Sequence, residues 1–99
     1  MTYRFHPEAL AEYDEAAAYY KRRKPGLETR FVDAVATVIR RICETPERWR
    51  KFDGEIRRYL VHVFPYLVLY SIEPTGFIYI IAVMHCRREP GYWKHRLQT

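Results

Sequence analysis

Hydrophobic positions fall into two kinds of spacing along this chain, and the change comes near residue 56. Before residue 45 apolar side chains recur every three or four positions, the period of a helix packed by one face. From Ile56 to His85 they crowd into nearly continuous runs of Val, Ile, Leu and Tyr, the composition of buried strands. At the start, Tyr3 and Phe5 share one side of a short extended segment, Thr2 to His6. Pro7 suits the first turn of a helix, where its missing N–H has no intrahelical partner in any case. Glu8 and Glu12 favour that end through the helix dipole. Leu10, Tyr13, Ala17 and Tyr20 form the apolar stripe, and Pro25-Gly26 ends the helix near Lys24. A second helix is predicted from Leu27 to Glu44, with Leu27, Phe31, Val35, Val38 and Ile42 as its stripe, Ala34 and Ile39 widening it, and Pro46 beyond it.

Residues 46–54, PERWRKFDG, are polar and punctuated and read as a loop pinned to the body by Trp49 and Phe52. Three strands should follow. The first runs from Ile56 to the Phe64-Pro65 step, the second from Tyr66 to Ile72, and the third from Phe77 to about His85. The turn Glu73-Pro74-Thr75-Gly76 joins the last two. Short connections make neighbouring strands antiparallel. The expected fold is therefore α+β, in the order β-α-α-β-β-β, with a helical hairpin on one face of a small, mostly antiparallel sheet and a basic, aromatic tail. Strict alternation along the last strand sends Ile78, Ile80, Ala82 and Met84 toward the helices. Phe77, Tyr79, Ile81, Val83 and His85, with Tyr66, Val68 and Tyr70 of the middle strand, then line a half-wet, tyrosine-rich face free of helices.

At 99 residues the chain should be a single domain spanning 1–99. Its longest apolar runs are too short to cross a membrane. The opening MTYRFHPEAL lacks the apolar core of a signal peptide, so a cytoplasmic protein is expected. Cys43 and Cys86 form no CxxC pair and read as reduced thiols in or near the core. With no Gly-rich phosphate loop and no ligand cluster, neither cofactor nor metal is expected.

Charge changes the picture more than composition does. Residues 1–56 carry 11 Lys/Arg against 10 Asp/Glu, whereas residues 57–99 carry 6 against 2, so most of the net +5 lies on the strands and tail. Between His85 and Arg96 come three arginines, Lys94, two histidines, Tyr92 and Trp93. Such a cluster at a strand end suits an acidic partner, either nucleic acid or an acidic protein segment. The run Lys21-Arg22-Arg23-Lys24, by contrast, reads as a solvated helix end offsetting the negative dipole pole. Arg57 and Arg58 point to opposite faces, so only one of them can join a common site.

The element order, the Arg57-Arg58 strand, Phe64-Pro65-Tyr66, Tyr70, Ala82-Val83, His85, Arg87-Arg88, Pro90, Tyr92-Trp93 and Arg96 together resemble the RelE/ParE superfamily, the small toxins of bacterial type II toxin–antitoxin modules. The resemblance implies growth inhibition, a role in plasmid stabilization and silencing by a cognate antitoxin. Its branches imply different targets. RelE-like members cut messenger RNA on the ribosome without metal, whereas ParE-like members poison DNA gyrase. Cleavage needs a group to take the 2′-OH proton and cations to hold the phosphate. Arg58, His85, Arg87 and Tyr92 are the candidates for that chemistry. Arg57, Arg88, Trp93, Lys94 and Arg96 are the candidates for target binding, Arg being suited to a phosphate or carboxylate fork. The RelE branch places an arginine on the middle strand where FPYLVLY has Leu67. That departure favours the gyrase-binding reading, with the endoribonuclease as its alternative.

Overall fold

A computed structural model describes residues 1–98. Its order is β1 (Thr2–Phe5), α1 (Pro7–Arg23), α2 (Leu27–Glu44), β2 (Lys51–Asp53), β3 (Ile56–Leu60), β4 (Tyr66–Ile72), β5 (Phe77–His85) and a short 3₁₀ helix, Lys94–Gln98. The five strands form one sheet in the order β1-β5-β4-β3-β2. β1 is parallel to β5, and every other pair is antiparallel. The α+β architecture with a helical hairpin on the sheet is as expected, with one strand more. β2 lies inside the segment read as a loop. Three residues carrying two charges give no alternation to detect.

The buried groove between the hairpin and the sheet is filled by Phe31, Val35, Val38 and Ile42 of α2 against Val68, Tyr70, Ile78 and Ile80. α1 contributes Ala9 and Ala16, whose small side chains let the helix lie close to the sheet. Leu10 is not on that face; it is 43% exposed. β3 stops at Leu60, short of the Phe64-Pro65 step. There the chain turns through Val63 at φ +73° while Val61 and Phe64 drop into the core.

One extra residue changes which way β4 and β5 face. Leu69 pairs with Ala82 but Tyr70 pairs with Ile80, so Ile81 forms a bulge. A bulge reverses the alternation beyond it. Ile78 and Ile80 pack toward the helices as expected, but Ala82 and Met84 turn to the opposite face. Val83, Tyr66, Val68 and Tyr70 turn toward the helices instead. The face expected to be half wet is a second core, in which Ile56, Leu69, Ile81 and Ala82 are covered by Trp93 of the tail.

Candidate functional site

The tail reaches that second face through a series of tight turns. Arg88 N bonds His85 O, Tyr92 N bonds Glu89 O and Lys94 N bonds Gly91 O, at 3.0, 3.3 and 3.0 Å. Gly91 sits at φ +78°, a conformation that costs glycine little and bends the chain back over the sheet. Trp93 lands in the second core, 2% exposed, with its ring tilted 6.0 Å from that of Phe52. Trp49, the indole of the 46–54 segment, lies tilted against Tyr59 with ring centres 4.4 Å apart.

Beside Trp93 lies a cleft of about 350 Å³. Its apolar floor is Leu67, Leu69 and Met84, and its cations are Arg58, Arg88 and Lys94. The Arg58 guanidinium lies 4.9 Å above the Phe52 ring, and Lys94 Nζ is 3.2 Å from an Asp53 carboxylate oxygen. Cys86 lines the same cleft and is exposed rather than in the core, whereas Cys43 is half-buried. No histidine or tyrosine is among the described residues lining this cleft. It can attract and hold an acidic group over an apolar floor.

A shallower groove runs between α1 and the end of β5, lined by Tyr19, Tyr66, His85, Arg88 and Tyr92. His85 Nδ1 accepts the backbone N–H of Arg87 at 3.0 Å, and its ring meets Tyr66 edge-on at 5.1 Å. Arg88 reaches both openings and lies 3.9 Å over the Tyr92 ring. Arg87 lines neither opening. Arg57, on the helix side of β3, donates to the carbonyls of Glu47 (3.1 Å) and Trp49 (2.5 Å). Tyr70 adds a bond to Pro46 O at 2.7 Å, so these two side chains hold the loop after α2.

The residue that organises the tail is Glu12. Its carboxylate accepts from Val83 N at 3.1 Å, from the Tyr92 hydroxyl, and from Arg96 Nη1 and Nη2 at 2.9 and 3.0 Å. The Arg96 side chain is only 4% exposed and also donates to Ile81 O at 2.9 Å. Burial works against its charge, but the bond to Glu12 and that carboxylate's field hold the guanidinium above its ordinary value. Burial, the bond to Glu12 and the same field push the Tyr92 phenol well up. Breaking a buried pair of this kind typically costs about 3–5 kcal/mol, because the remaining charge is stranded. Glu12 had a signal in the sequence: it lies three residues after Ala9 and four before Ala16, a carboxylate on the helix's packed face.

The site is thus a cationic cleft whose far wall is a tail locked onto α1, and the chain's relatives can be placed beside it. A family model described as the ParE toxin of the type II toxin–antitoxin system, parDE, matches residues 3–90. The chain belongs to the ParE toxin family. It is therefore a type II toxin, for which the family implies an antitoxin partner. No curated protein matches it. Tyr92, Trp93 and Arg96 of the toxin lie beyond the matched residues, while Glu12 lies within them. No helix among the described residues is long and apolar enough to cross a membrane.

Proposed function

We propose that this toxin arrests growth by gripping a protein target through its cationic cleft, with DNA gyrase as that target, and does not cut RNA. The observation that carries this reading is the separation of the groups a nuclease would use. Arg58 lines the cleft on the tail side of the sheet, His85 and Tyr92 line the groove beside α1, and Arg87 lines neither. The Tyr92 hydroxyl is already bonded to Glu12. Leu67, which takes the place of a cation, forms part of the cleft floor. Arg58, Arg88 and Lys94 around an apolar floor suit an acidic surface with a hydrophobic neighbour. Trp93 supports that wall from beneath, and Arg96 fixes it.

The cognate antitoxin would neutralise the toxin by covering the same cations with an acidic, amphipathic segment. Purified toxin should inhibit gyrase supercoiling. Arg58→Glu should lower that inhibition at least about ten-fold, roughly 1.4 kcal/mol of contact energy. His85→Ala should leave growth arrest unchanged. Loss of arrest in His85→Ala, with gyrase untouched by the wild-type toxin, overturns the proposal in favour of the endoribonuclease.

A further inference from the structure

β5 is longer than the strand that covers its outer edge. β1 pairs with residues 77–80 only, and the last bond on that side runs from His6 N to Ile80 O at 2.9 Å. Immediately beyond, Ile81 O and Val83 N turn to the open edge, where no strand among the described residues meets them. A buried edge with unpaired backbone groups is costly, so something must replace the missing strand. Two side chains do. Arg96 donates to Ile81 O, Glu12 accepts from Val83 N, and the two are joined to each other by a two-pronged ion pair. The tail is thus docked on a sheet edge through the Glu12 carboxylate of α1, and Glu8 of the same helix adds an exposed bond to His95 Nε2 at 3.0 Å.

We infer that Glu12 is the positioning residue for target contact: it holds the Tyr92–Arg96 arm against β5 and so sets the wall of the cationic cleft. The inference rests on the proposed gyrase-binding role for its functional part and on geometry for its docking part. Three consequences follow from the connectivity. Loss of the Glu12 carboxylate takes the two-pronged partner from Arg96 and the acceptor from the Tyr92 hydroxyl together, because both bond it. Arg88, stacked 3.9 Å over Tyr92, loses its platform. Lys94 and Trp93, which lie between the two released residues, lose their fixed place on the cleft wall. The helix-facing core, built from other residues, stays packed.

The test uses the full chain in a Trp49→Phe background, so that Trp93 is the single indole. Glu12→Gln keeps an acceptor for Val83 N but loses the charge that grips Arg96; Glu12→Ala loses both. Emission of Trp93, amide exchange of Val83, far-UV circular dichroism and inhibition of gyrase are measured together. The expected result is red-shifted Trp93 emission in both variants, with fast Val83 exchange in Glu12→Ala. Gyrase inhibition should fall at least ten-fold while far-UV circular dichroism stays that of the wild type at the assay temperature. That last readout separates positioning from unfolding, which would lower the circular dichroism signal in step. Asp14→Asn, at an exposed position of α1, serves as the control and should change neither emission nor inhibition. Unchanged Trp93 emission in Glu12→Gln overturns the docking role. A freed tail with undiminished gyrase inhibition overturns the positioning role. A wild-type toxin that leaves gyrase untouched sinks the proposed target and with it the functional half of the inference; the docking half is still decided by Trp93. Should Glu12→Ala fail to fold, Glu12→Gln alone decides.

Discussion

Replacing Trp93 with alanine tests whether the tail is part of the folded core or an ornament on it. The indole is 2% exposed and packs on Ile56, Leu69, Ile81 and Ala82. Burying an aromatic of this size removes about 150–250 Å² from water. At about 25 cal/mol per Å², that is worth roughly 4–6 kcal/mol. Alanine keeps a little of the area and the neighbours relax into some of the space, which brings the expected loss to about 3–5 kcal/mol. Against a domain stability of about 5–15 kcal/mol this is a large fraction. With about 4–8 °C of melting temperature per kcal/mol for a chain of this size, Trp93→Ala should melt at least about 12 °C lower. Thermal and urea unfolding followed by circular dichroism give both numbers. Trp49→Ala, which removes a half-buried ring packed against Tyr59, should cost clearly less. A Trp93→Ala protein melting within about 4 °C of wild type, roughly a single kcal/mol, would show that the tail does not cover the sheet.

Other outcomes follow from single contacts. Tyr70→Phe removes the bond to Pro46 O and should cost about 1–2 kcal/mol, read from urea midpoints, with exchange rising in residues 46–49. Burial holds the Tyr70 phenol up at about 12 and raises Tyr13, Tyr20, Tyr66 and Tyr92 as well. An unfolded tyrosine ionises near its ordinary 10.0, so the fold loses stability as pH rises from there toward 12, and phenolate absorbance should appear together with unfolding in that window. On the acid side, the bond from His95 lowers the Glu8 carboxyl below its ordinary 4.5. Its contribution is complete above that value and vanishes as pH falls through the lowered one, so the melting difference between wild type and Glu8→Gln should shrink to nothing in acid. Val63 holds φ +73° while 72% exposed, so Val63→Asn should gain up to about 1 kcal/mol, seen as a higher urea midpoint.

Most of the scaffold could be read from the residues, because local spacing sets it. The α2 stripe of Phe31, Val35, Val38 and Ile42, the Pro25-Gly26 break and the bounds of β4 and β5 all follow from periodicity and turn chemistry. What escaped depends on single residues or distant partners. Ile81, Ala82 and Val83 are all apolar, so nothing in the pattern marks where the bulge reverses the strand. Glu12 sits one turn beyond the start of α1 and reads as a dipole charge. Its partners come 71 to 84 residues later. Arg57 and Arg96 looked alike as basic residues available to a partner. One is tied to loop carbonyls and the other is buried in an ion pair, which leaves Arg58, Arg88 and Lys94 as the cations of the cleft.

The claim that matters most is that this toxin grips a protein and leaves messages whole. Mapping message 5′ ends by primer extension within minutes of toxin induction tests it most directly. Intact messages accompanied by a DNA-damage response are the predicted result. Breaks spaced by codons, lost in His85→Ala, would contradict it.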